Sequence, residues 1–213
     1  MSLVPRRWLM LGLVAAIGVL AASIALVANA THVGRGPGPA MMGGARMTGS
    51  VWLAGNGAPV DSIPAARDRV SAAAAPAGLR PGEVIWFDNG FYVELKDTAG
   101  GPATEVIVDP ASGTVFTEPG PARMWNTRYG MHGSTGGGSA SVNAERAQRI
   151  ATEWLNTNLP GRTAQPPDAY PGYYTVETTG TDGTINGMLS VNATTGQVWY
   201  HSWHGRFIAK DDA

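Results

Sequence analysis

A strand–turn–strand phrase occurs twice in this chain, 83 residues apart. The first copy reads Val106-Ile107-Val108-Asp109-Pro110-Ala111-Ser112-Gly113-Thr114-Val115-Phe116. The second reads Leu189-Ser190-Val191-Asn192-Ala193-Thr194-Thr195-Gly196-Gln197-Val198-Trp199. In each, apolar residues run into Asp or Asn, a short turn closes on Gly, and apolar residues resume. A repeat of this kind constrains the architecture before any single residue is weighed. A length of 213 residues allows one or two domains, and the repeat argues for two small, similar ones.

Each copy is preceded by a helix signal and further strands. In the first, Ser62 caps a helix with Pro64 in its first turn, and Pro76 ends it. Apolar runs at 84–87 and 91–96 flank Asp88-Asn89-Gly90, and Asn-Gly in that setting is the strongest short hairpin signal. Phe91, Val93 and Leu95 alternate with Tyr92, Glu94 and Lys96, the pattern of a half-buried strand. Strands at 103–109 and 114–117 complete this unit. In the second, Asn143 caps a helix over 144–159, on which Ala147, Ile150, Ala151, Trp154 and Leu155 form an amphipathic stripe. Strands at 173–178, 184–191 and 197–203 follow. The expected fold class is α+β: two tandem helix-plus-antiparallel-sheet units over 62–118 and 142–208. A Gly-rich linker over 119–141, with an aromatic and His-bearing centre, joins them. Each helix covers one face of its own short sheet.

The N-terminus bears on location. Residues 1–7 end in Arg6-Arg7, and 8–29 form an apolar segment. Its uncharged run of about 21 residues reaches the roughly 20 that a membrane-spanning helix needs. The arginines predict a cytoplasmic N-terminus and a transmembrane anchor, with the globular part outside the cytoplasm. Ala28-Asn29-Ala30 is a small-x-small site, so a signal peptide cleaved near Ala30 and a secreted product is the alternative. Residues 30–61, rich in Gly, Pro and Met, carry no period and read as a flexible tether.

Composition excludes several function classes. The formal net charge is −1, and a near-neutral surface gives no footprint for nucleic acid. No cysteine is present, which removes disulfides and thiolate chemistry. No Gly-x-Ser-x-Gly elbow appears either, so no enzyme is expected.

The order helix, strand ending in an acidic or amide residue, then x-x-x-Gly-x-Val resembles the PepSY domain family. The matching residues are Asp109 to Val115, Asn192 to Val198, and the helix segment Glu145-Arg146-Ala147-Gln148-Arg149-Ile150-Ala151. The resemblance covers roughly 63–117 and 142–200. It implies an exported or membrane-tethered, non-enzymatic binding or regulatory module that modulates a protease or binds a peptide or exported protein. It carries over no catalytic residues and no cofactor.

Two sets of candidate residues remain. Trp125, Tyr129, Trp199 and Trp203 lie at strand ends and in the linker, where aromatic side chains can line a groove for a peptide added as a strand. His132, His201 and His204 are candidate ligands for copper or zinc, with Met41, Met42, Met47 and Met131 as thioether donors that suit Cu(I). Residues i and i+3 of a strand face opposite ways, so His201 and His204 share an ion only if the chain turns at Ser202.

Overall fold

A computed structural model of the chain describes residues 51–131 and 140–212. The apolar segment 8–29, the tether to residue 50 and His132 lie outside the described residues. Among those described, no helix is long and apolar enough to cross a membrane. The fold is mixed α and β, with two antiparallel sheets and few helices.

In chain order the elements are β1 (Val51–Leu53), α1 (Ile63–Ala74), β2 (Arg80–Phe87), β3 (Gly90–Lys96), β4 (Pro102–Val108), β5 (Val115–Thr117) and α2 (Pro121–Met124). There follow α3 (Ala144–Asn158), β6 (Thr163–Ala164), β7 (Asp168–Tyr170), β8 (Tyr173–Thr179), β9 (Ile185–Asn192), β10 (Val198–Tyr200) and β11 (Phe207–Asp211). The first sheet has the order β1-β5-β4-β3-β2-β11, and the second β10-β9-β8-β6 with β7 also paired to β8.

The two copies of the repeated phrase make the same turn. The Asp109 carboxylate accepts from the Ala111 and Ser112 amides at 3.1 and 2.7 Å, and the Asn192 side chain accepts from those of Thr194 and Thr195 at 2.9 Å each. The Gly113 amide donates to Asp109 and that of Gly196 to Asn192, both at 2.9 Å. Both glycines have positive φ, 67° and 74°, which a side chain would resist.

Each long helix covers the outer face of one sheet. Ser62 Oγ accepts from the Ala65 amide at the start of α1, and Asn143 Oδ1 from the Arg146 amide at the start of α3. Helix α1 lays Ala66, Val70, Ala73 and Ala74 onto Val84, Phe91, Val93, Leu95, Val106 and Val108. Helix α3 lays Ala147, Ala151 and Leu155 onto Val176, Leu189 and Val191. The inner faces of the sheets then pack on each other. Ile85, Phe87 and Tyr92 of the first meet Ile185 and Met188 of the second.

That stacking changes the reading of β3. Its alternation predicts one wet face, yet Tyr92 and Glu94 are buried along with Phe91, Val93 and Leu95. The second sheet replaces water as their neighbour. Other segments also differ from expectation. Residues 51–61, placed in the tether, contribute β1, whose Trp52 indole donates to Thr117 at 3.0 Å. The linker 119–141 contains α2 and an ordered stretch in which Asn126 donates to the Ala103 carbonyl at 2.8 Å. The final strand ends at Tyr200 rather than 203, and β11 leaves the second sheet to pair with β2 of the first.

Candidate functional site

Between the sheets lies a polar layer at whose end three ionisable side chains meet. Glu118 continues the chain just past β5, where its amide donates to the Glu105 carbonyl at 2.9 Å. His201 follows β10 and is fixed by its amide donating to the Met188 carbonyl at 3.0 Å. The chain turns at Ser202 and Trp203, which brings His204 back beside His201. The tip of the β2–β3 hairpin holds this turn: Asn89 donates to the Trp203 carbonyl and accepts from the Gly205 amide, while Asp88 accepts from the Arg206 amide. A Cβ at Gly205 would displace the Asp88 and Asn89 side chains that hold the turn.

The Glu118, His201 and His204 side chains are 0, 0 and 4% exposed. Glu118 Oε1 lies 2.8 Å from His204 Nε2 and 3.4 Å from His201 Nδ1, and it accepts from the Trp203 indole at 3.0 Å. Neither imidazole contact has hydrogen-bond alignment: His201 Nδ1, His204 Nε2 and Glu118 Oε2 are buried without a hydrogen-bond partner. One donor atom from each residue falls within 4.8 Å of the others, as ligands around one ion would. The rings are held by stacking, His204 on Phe87 at 4.5 Å and His201 on Trp203 at 4.6 Å. A cavity of about 170 Å³ lies beside His204, lined by Phe91, Tyr92, Phe116, Pro119 and Trp203.

Burial works against charge on Glu118, but the two imidazoles outweigh it and hold the carboxyl well below the usual carboxylate range. Burial depresses His201 below its ordinary 6.5 in spite of the opposing Glu118 charge.

A hydrogen-bonded chain runs inward from His201. Its Nε2 lies 3.0 Å from Ser190 Oγ, and Ser190 Oγ lies 3.2 Å from Thr175 Oγ1. Thr175 donates to Glu105 Oε1 at 2.7 Å. Glu105, on the first sheet, also accepts from Tyr92 at 2.9 Å and from Tyr173 at 2.6 Å. Burial and the Glu118 charge push the Glu105 carboxyl up, and the three hydroxyls oppose them. Burial and Glu105 likewise push the Tyr92 and Tyr173 hydroxyls well above 10, so both remain donors.

Of the residues singled out in the sequence, His201, His204 and Trp203 come together at Glu118. Trp125 and Trp199 meet edge to face at 5.6 Å, and Trp199 and Trp203 both crowd Gly120. Tyr129 lies apart, packed on the core under α1 with Arg128 over its ring. Met131, the one described methionine offered as a donor, is 60% exposed. Glu118, Ser190, Thr175 and Glu105 are functional candidates that motif reading misses. The repeat held a signal for one of them: 118 + 83 = 201, so Glu118 is the counterpart of His201. Comparison of the chain with known protein families, curated proteins and solved structures finds no match.

Proposed function

We propose that this chain is a non-enzymatic, extracytoplasmic metal-binding protein of PepSY-like build that holds a divalent ion such as Zn(II) between Glu118, His201 and His204. The observation that carries this is the convergence, in a buried site, of two imidazole nitrogens that lack hydrogen-bond partners on one carboxylate, whose Oε2 also lacks one. Buried polar atoms are nearly always partnered, and a cation is the partner that suits all three. Two imidazoles and a carboxylate are zinc donors, and the hard oxygen favours Zn(II) over Cu(I). Three protein ligands leave a tetrahedral ion one further position. The apolar segment 8–29 supports membrane tethering, and the matched turns at Gly113 and Gly196 support two copies of one unit.

Isothermal titration of the full chain with Zn(II) tests the site. One saturable ion per chain is expected, weakened at least 100-fold in His201→Ala/His204→Ala. Absence of saturable binding, or equal affinity in the double variant, overturns it.

A second reading, docking of an exported protein or peptide as an added strand, is favoured by one observation. Strand β10 is an edge of the second sheet, and its Trp199 is 37% exposed against Trp125. A pull-down from membranes with and without Trp199→Ala tests it, and capture of the same proteins by both forms counts against it.

A further inference from the structure

Each hydroxyl in the chain between Glu105 and His201 has one proton to give. While Glu105 is ionised it can only accept, so Thr175 spends its proton there and the 3.2 Å contact between Thr175 and Ser190 is donated by Ser190. With its proton spent, Ser190 can only accept at the 3.0 Å contact with His201 Nε2. His201 is therefore the Nε2–H tautomer, and its Nδ1 lone pair faces Glu118. Thr175, Ser190 and His201 are each at most 3% exposed, so water does not compete for these bonds.

From this chain we infer that Ser190, backed by Thr175 and Glu105, is a positioning residue that locks His201 in the tautomer able to ligate a metal through Nδ1. The inference rests on the metal-binding reading for its purpose, but the tautomer is a property of the protein alone. Imidazole N–H groups held by an outer partner fix ring orientation in metal sites, and losing that partner costs about 10–100-fold in affinity. Here the partner belongs to the second sheet and its anchor Glu105 to the first, so the ligand set depends on how the sheets are stacked.

The test is ¹⁵N–¹H correlation of the histidine rings in the full chain without metal, followed by Zn(II) titration of Ser190→Ala and Ser190→Thr. The Nε2–H form is expected for His201, with a 10–100-fold loss of Zn(II) affinity in Ser190→Ala and recovery in Ser190→Thr. A dominant Nδ1–H form, or full affinity in Ser190→Ala, overturns the inference. If Ser190→Ala fails to fold, the unsubstituted ring spectrum still decides. If the unsubstituted chain binds no Zn(II), the function proposal fails, and the ring spectrum still tests the lock.

Discussion

Replacing Glu105 by Leu asks what a buried polar layer contributes when its acceptor is removed. Three hydroxyls donate to this carboxyl. Two have somewhere else to turn: Tyr92 lies 3.1 Å from the Tyr170 hydroxyl, and Thr175 lies 3.2 Å from Ser190. Tyr173 loses its 2.6 Å bond in a fully buried position. An orphaned buried donor costs about 1–3 kcal/mol, and each weakened bond about 0.5–1.5 kcal/mol. The expected loss in Glu105→Leu is therefore about 2–6 kcal/mol, against a total stability of about 5–15 kcal/mol for an ordinary domain. Urea unfolding followed by tryptophan fluorescence reads the change. A variant within about 0.5 kcal/mol of the parent would refute the reasoning, because the hydroxyls would then lose nothing with their acceptor. Glu105→Gln adds a pH test. A carboxyl whose pKa is raised in the fold contributes stability that is complete below its unfolded pKa and is lost as pH rises toward the folded one. Gln has no such dependence, so the deficit of Glu105→Gln relative to the parent should shrink between pH 5 and 8. A constant or growing deficit contradicts the raised pKa.

Two further outcomes follow from the packing. Leu155→Ala, beneath α3, should cost about 2–5 kcal/mol in the same unfolding assay, because the fully buried side chain leaves a cavity. At the sheet boundary Lys210 of β11 lies 2.6 Å from Glu83 and 2.8 Å from Glu177, and burial followed by the Glu177 charge pushes Glu83 up to about 8. The raised pKa means that stability from Glu83 is complete below about pH 4.5 and falls as pH approaches 8. Glu83→Gln should therefore flatten the stability–pH curve over that window, and a parent curve already flat there would count against the shift.

Local chemistry made much of the fold legible. The Asp109 and Asn192 turns, the Ser62 and Asn143 caps and the Asn89-Gly90 hairpin rest on bonds between residues a few positions apart. The stripe Ala147, Ala151 and Leu155 likewise announces its buried face by its spacing. The candidate site was half legible: His201 and His204 are visible as residue types, but the turn that unites them depends on Asp88 and Asn89, more than a hundred positions away.

What the sequence determined by itself was the two long helices, the Gly-closed turns and the faces that α1 and α3 cover, because capping, glycine conformation and hydrophobic period act over a few residues. The tertiary structure alone decided that the polar faces of the two sheets meet. Tyr92 and Glu94 alternate with apolar neighbours as wet residues do, yet both are buried once the second sheet covers them. The crossing of β11 to pair with β2, and the arrival of Glu118 from the end of β5 in the first sheet beside His201 from the end of β10 in the second, were decided there too. Contacts between residues 83 positions apart are set by how two sheets stack, and side-chain volume across an interface leaves no period in the chain.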